Sequence, residues 1–188
     1  IKKYVGTETG VLTVPSTIDG YKITKIGEEA FSYCPASKIV LPDTLLELEY
    51  QAFNYCDMTE LVLPESLIKI GDWAFSGCRD IVNIHIPDSV TEIAGNPFYG
   101  CHGLKRITVS ESHPVFGIYQ NALIQKSNYK LITIPFGLIG DTLTIPDGIR
   151  IIGDCAFGYS GPDFTKLIIP DSVEEIESHA INNHRQDE

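Results

Sequence analysis

A chain of 188 residues, 43% of them hydrophobic, carries enough apolar side chain for one packed domain or one elongated repeat array, which counts against a disordered polypeptide. Its formal net charge of -11 and sequence pI near 4.8 leave no basic surface to release counterions from phosphates, so nucleic acid and anionic membrane surfaces are poor partners. Five cysteines, an odd number, rule out a fully paired disulfide framework within one chain and leave the compartment open.

No apolar run approaches the roughly 18–20 residues of a membrane helix, so direct membrane insertion is not expected. The chain begins at Ile1 with no Met and no basic-then-apolar leader, and it reads as a mature protein or an excised fragment. The aliphatics are mostly Ile, Leu and Val on short runs bounded by Pro, which favours strands over long helices.

In chain order, Leu12-x-Val14-Pro15-x-x-Ile18 opens a first unit. Five inserted residues follow, with Asp19-Gly20 as a turn pair, before Ile26-Gly27-x-x-Ala30-Phe31-x-x-Cys34. The second unit is Ile39-x-Leu41-Pro42-x-x-Leu45-x-x-Leu48-Glu49-x-x-Ala52-Phe53-x-x-Cys56, and the third runs in the same frame from Leu61 through Pro64, Leu67, Ile70 and Ala74-Phe75 to Cys78. The fourth runs from Ile84 through Pro87, Val90, Ile93 and Pro97-Phe98 to Cys101. Leu104-x-x-Ile107-x-Val109 starts another strand, but the Pro-x-x-Val frame then disappears. Within Ser110–Pro135, Ala122-Leu123-Ile124 and Leu131-Ile132-Thr133-Ile134 flank the polar Lys126-Ser127-Asn128, the pattern of a β-hairpin. The frame returns at Leu143-x-Ile145-Pro146-x-x-Ile149-x-x-Ile152-Gly153-x-x-Ala156-Phe157 and once more from Leu167 through Pro170, Val173 and Ile176, fading at Ala180-Ile181.

A unit of 22–24 residues is too short to fold alone and buries its apolar side only by stacking on copies of itself. The expected fold is therefore a β-rich solenoid, a right-handed superhelix of about six coils with short parallel strands, little α-helix and a β-hairpin-like insertion. It forms one domain over 1–188: regular repeats over 1–109, an irregular β-rich unit over 110–145, and regular repeats over 146–188 with the last incomplete. Leu61 and Leu63 point inward from a strand, while Glu60 and Val62 point out. Pro64 and its equivalents end each strand, because Pro cannot donate to a ladder. Phe31, Phe53, Phe75, Phe98 and Phe157 are expected to form one buried aromatic column.

With these residues laid out, the chain resembles the BspA-like, or Treponema pallidum-type, leucine-rich-repeat family. The repeat pattern of that family is met almost residue for residue by Met58 to Cys78 and by Ile81 to Cys101, apart from Ala94 and Pro97. His113-Pro114-Val115-Phe116 through Ile134-Pro135-Phe136-Gly137 resembles the longer β-rich unit found among ordinary repeats of the family. Ser160 stands where a fifth column Cys would be, and Ile181 replaces Phe in the last unit. The resemblance implies a secreted or cell-surface protein of bacteria or some protists that adheres to host proteins or other cells, and a host or neighbouring-cell protein or glycan is the expected partner. It carries over no catalytic residue.

Candidate sites follow from the same frame. Cys34, Cys56, Cys78 and Cys101 lie one coil apart rather than in the convergent Cys-x-x-Cys pairs of a metal site, so they read as a ladder of buried free thiols, with adjacent-coil disulfides geometrically open. Cys155 is off that column and takes no role. His85, His102, His113, His179 and His184 show no metal-ligand spacing, and no nucleophile elbow or phosphate loop is present. The acid after each Pro suits a turn better than a calcium shell. No enzyme activity, metal or cofactor is expected, and the oligomeric state stays open. Function is expected on the outward strand positions, Lys38 and Val40, Glu60 and Val62, Asn83 and His85, Arg106 and Thr108, Lys166 and Ile168. The excursion around Val115–Tyr129 is a second candidate. A structural spacer within a longer surface protein is the alternative.

Overall fold

The computed structural model describes residues 3–157 and 164–181. Seven described strands, Val11–Thr13, Lys38–Val40, Glu60–Leu61, Asn83–His85, Arg106–Thr108, Thr142–Thr144 and Lys166–Ile168, recur once per coil and make a first row. Their pairings are parallel and in repeat register, such as Ile39 with Leu61 and Ile107 with Ile84. The solenoid thus has about seven turns, one more than the sequence reading counted, because Arg106–Thr108 opens a turn of its own ahead of the irregular segment.

A second row forms where each coil turns back. Lys25–Ile26, Glu47–Leu48, Lys69–Ile70 and Glu92–Ile93 pair in parallel order. Inward residues of the two rows and the Pro-x-x-Leu link fill the core: Leu61, Leu63, Leu67 and Ile70 are all buried. Lys25 bridges Glu47 at 2.7 Å and Arg150 bridges Glu174 at 2.7 Å on the exposed side of this row. Such exposed pairs add little to stability.

The third side of each coil is the Ala-Phe turn. Ala lets the turns approach, and the Phe rings stack: Phe31 on Phe53 at 5.3 Å, Phe53 on Phe75 at 5.7 Å, and Phe75 on Phe98 at 5.7 Å. Tyr4 extends the stack below Phe31 at 5.2 Å. Below the rings the thiols form a second ladder. Cys56, Cys78 and Cys101 each donate S–H to the carbonyl of Phe31, Phe53 and Phe75, at 3.0 Å in every case. All five cysteines are buried and free. Burial pushes the Cys101 thiol up to about 12, which keeps it a donor.

Phe157 does not join the column. It is buried in a second core cluster with Ile149, Ile152 and Ala156, whereas the four stacked rings belong to the first. The reason is the excursion, which contributes no Ala-Phe turn between Phe98 and Phe157. In regular coils the Phe N–H donates to the next turn, as Phe53 does to Ala74 and Phe75 to Pro97. Phe98 makes no such bond to the next turn. Its N–H instead donates to the Oδ1 of its own turn's Asn96 at 3.0 Å. The Asn96 amide then donates across the junction to the carbonyls of Cys155 and Ala156, at 3.3 and 3.2 Å.

The excursion holds the expected hairpin, Ala122–Gln125 against Lys130–Thr133, and a third antiparallel strand, Phe116–Tyr119, that the sequence reading did not assign. Gln120 and Asn121 both have positive φ at the turn between them, as a two-residue hairpin of this twist requires. Lys130–Thr133 continues in parallel into Ile151–Ile152 and then Glu175–Ile176, so the hairpin is built into the second row rather than set beside it. The five-residue insertion near the start is a smaller hairpin, Thr17–Ile18 with Tyr21–Lys22, turned by Asp19 and Gly20 at φ 51° and 82°. His113 pins the excursion at its root. Its Nδ1 accepts the N–H groups of Val115 and Phe116, at 3.2 and 3.0 Å, so Nε2 carries the proton and donates to the Pro87 carbonyl at 3.1 Å. Burial accordingly holds its pKa below the ordinary histidine value.

Candidate binding surface

The outward positions singled out from the sequence do face away from the core. Val40, Glu60, Val62, Asn83, His85, Arg106, Lys166 and Ile168 are exposed, and Lys38 and Thr108 half-buried. Some of these groups satisfy one another. Lys38 bridges Glu60 across adjacent coils at 2.7 Å, and the His85 Nδ1 lies 3.0 Å from the Thr108 hydroxyl. Val62, 65% exposed, sits beside Val40 as an apolar strip. Lys166 and Ile168 pair with Thr142 and Thr144 in a separate patch of the row.

The row is not continuous. Its hydrogen-bonded sets are the first three strands, then Asn83–His85 with Arg106–Thr108, then Thr142–Thr144 with Lys166–Ile168. The second interruption opens a cleft of about 260 Å³ bordered by Lys105 to Val109 on one side, by Ile118 and Asn121 of the excursion on the other, and by Pro135. The register decides which backbone groups reach it. Arg106 donates its N–H to Val82, and Thr108 accepts from Ile86, so both residues direct their backbone groups to the Asn83–His85 side. In a strand the alternate residue faces the other way. The N–H and C=O of Ile107 and the N–H of Val109 therefore point toward the cleft, and no strand pairs with that edge among the described residues. Two of the outward positions, Arg106 and Thr108, and two excursion residues, Ile118 and Asn121, thus meet at one place. Among the described residues neither Lys105 nor Arg106 joins an ion pair.

A second cleft, about 320 Å³, lies on the turn side and is lined by Tyr50, Asp72, Trp73, Asp154, Cys155 and His179. Tyr50 and Trp73 form its aromatic wall, tilted with ring centroids 5.8 Å apart, and Trp73 stacks in turn on Tyr99 at 5.1 Å. Burial pushes the Cys155 thiol up to about 11, and burial together with the nearby Asp154 carboxylate raises Asp72.

The family model described as the BspA type leucine-rich repeat region matches residues 24–141 and 140–186, in six copies. The chain belongs to the BspA-type leucine-rich-repeat family. Comparison with curated protein sequences finds no match. Among solved structures it is similar to a leucine-rich repeat protein from Eubacterium ventriosum, with TM-score 0.72, 22% identity, and coverage of 92% of this chain and 50% of that one. A leucine rich cell surface protein from Faecalibacterium prausnitzii is 28% identical with TM-score 0.54, over 90% of this chain and 38% of that one. The T. pallidum leucine rich repeat protein matches at TM-score 0.51 and 22% identity, over 93% and 76%. The chain therefore spans half the length of the Eubacterium protein. No helix among the described residues is long and apolar enough to cross a membrane.

Within this BspA-type array, sequence reasoning missed both clefts in part. Arg106 and Thr108 were found from the period-two alternation, but Lys105, Ile118 and Asn121 were not grouped with them. Cys155 and His179 were dismissed separately, although they occupy the same turn position one repeat apart, immediately before Ala156 and Ala180, and both have positive φ. That shared position was the available signal. His184 and Ser160 lie outside the described residues.

Proposed function

We propose that this chain is a non-catalytic binding module of a secreted or surface-displayed bacterial protein, and that it holds an extended, acidic segment of a partner protein against the free edge of Arg106–Thr108. The observation that carries this reading is the unpaired backbone edge facing a cleft: a strand added there gains main-chain hydrogen bonds from Ile107 and Val109, and side-chain pockets set its specificity. Lys105 and Arg106 supply positive charge at that edge on a chain of net charge -11, and Ile118 offers an apolar contact, 40% exposed. The name of the Faecalibacterium protein supports the surface location. Adhesion to host or neighbouring-cell proteins is the role that suits such a module.

Binding of the chain to immobilised matrix and cell-surface proteins tests the reading. A hit is expected whose affinity falls at least about tenfold in Arg106→Glu, since reversing the charge that meets an acidic segment is worth about 1.5 kcal/mol or more. Ile118→Asp should weaken the same hit, while Lys166→Glu, on the far patch, should not. A hit indifferent to Arg106 and Ile118 places the site elsewhere. The spacer reading gains from the extra length of the Eubacterium structure, and failure of the parent to bind any partner favours it.

A further inference from the structure

The turn-side cleft brings together three side chains of different chemistry. The Asp154 carboxylate, the Cys155 sulfur and a His179 ring nitrogen each offer a ligand atom, and the three atoms lie within 4.8 Å of one another. Cys155 and His179 are held on adjacent coils by the ladder that joins their turns, Cys155 N–H to Ser178 and Phe157 N–H to Ala180. Asp154 is fixed in turn, because its backbone N–H donates to Glu177 at 2.8 Å. The Asp154 Oδ1 is 3.7 Å from the Cys155 sulfur and 3.7 Å from the His179 Nδ1. Ligands of a tetrahedral zinc ion, at bond lengths of about 2.0–2.3 Å, stand roughly 3.3–3.6 Å apart. The two Asp154 edges thus need to close by only a few tenths of an ångström. The cleft around them is open to solvent through the exposed His179, and a second carboxylate, that of Asp72, lines it.

We propose that Asp154, Cys155 and His179 form a site for a borderline divalent transition-metal ion of the zinc class, with the fourth position open to water or to Asp72. The ligand set is the argument for the metal. A thiolate with an imidazole favours zinc, cobalt or nickel over magnesium and calcium, which take oxygen alone. On binding, the Cys155 thiol gives its proton to solvent and its sulfur replaces a water on the ion. No electron is transferred. Tyr50 and Trp73 wall the cleft together with Cys155 and His179. Because Trp73 is the only tryptophan, its fluorescence reports on this site alone.

The test is a titration of the reduced, chelator-treated chain with cobalt(II), followed by absorption and by Trp73 emission, and then by displacement with zinc(II). One equivalent of cobalt is expected to give a thiolate-to-metal charge-transfer band with the visible bands of a tetrahedral ion, and to quench Trp73. His179→Ala, a change at an exposed side chain, should weaken binding at least about tenfold. Cys155→Ser should abolish the charge-transfer band. Should Cys155→Ser not fold, Asp154→Asn replaces it and is expected to weaken binding as His179→Ala does. Absence of a thiolate band in the parent overturns the proposal, as does a band that persists in Cys155→Ser or an affinity unchanged in both His179→Ala and Asp154→Asn.

Discussion

Phe75→Ala is expected to lower the unfolding free energy by about 3–5 kcal/mol, the range for removing a fully buried aromatic ring. Phe75 is fully buried and lies between Phe53 and Phe98, 5.7 Å from each. The surrounding coils are tied by strand pairing on one side and by turn hydrogen bonds on the other, so the vacated space cannot close without breaking those bonds. The turn is also coupled to the thiol ladder, since the Phe75 carbonyl accepts from Cys101. In a solenoid each coil touches only its neighbours, so the loss falls on both flanking interfaces at once. Phe75→Leu should recover much of it by refilling volume without the stack. Urea unfolding monitored by circular dichroism measures the difference, and a loss under about 1 kcal/mol contradicts the column as a main support of the fold.

Asn96→Ala is expected to cost about 2–4 kcal/mol, although it removes little volume. The side chain is fully buried and makes three hydrogen bonds. Its loss leaves the Phe98 N–H without an acceptor, worth about 1–3 kcal/mol, and takes a donor from two carbonyls. Asn96→Asp should be worse, because the carboxylate can still accept from Phe98 but turns negative charge on the carbonyls of Cys155 and Ala156. The two core clusters meet at this junction, so the variant should also broaden the unfolding transition as they uncouple. Equilibrium unfolding of both variants measures this. Asn96→Ala within about 0.5 kcal/mol of the parent contradicts the bridging role.

The regular coils were legible because Pro, Ala-Phe and Cys recur in one frame, and each has a single physical role there. The breaks were less legible for the same reason. Phe157 matches the frame, yet it packs in the other core cluster, and the Asn96 side chain rather than a ring stack joins its turn to that of Phe98. Phe116–Tyr119 carries Gly117 and only one fully apolar alternation, so its strand depends on the hairpin it pairs with. The free edge of Arg106–Thr108 is a missing contact, and a missing contact leaves no residue signature. The meeting of Asp154, Cys155 and His179 follows from a lateral spacing of one repeat, which motif searches along the chain do not sample.

Among the described residues the strand row is interrupted after Arg106–Thr108, which leaves a backbone edge free to pair. Amide hydrogen exchange resolved by residue in the native chain tests it most directly. Arg106 and Thr108, bonded to the preceding strand, should exchange slowly, while Ile107 and Val109 exchange fast. Uniform protection of all four amides would mean that the edge is already closed and would contradict the account.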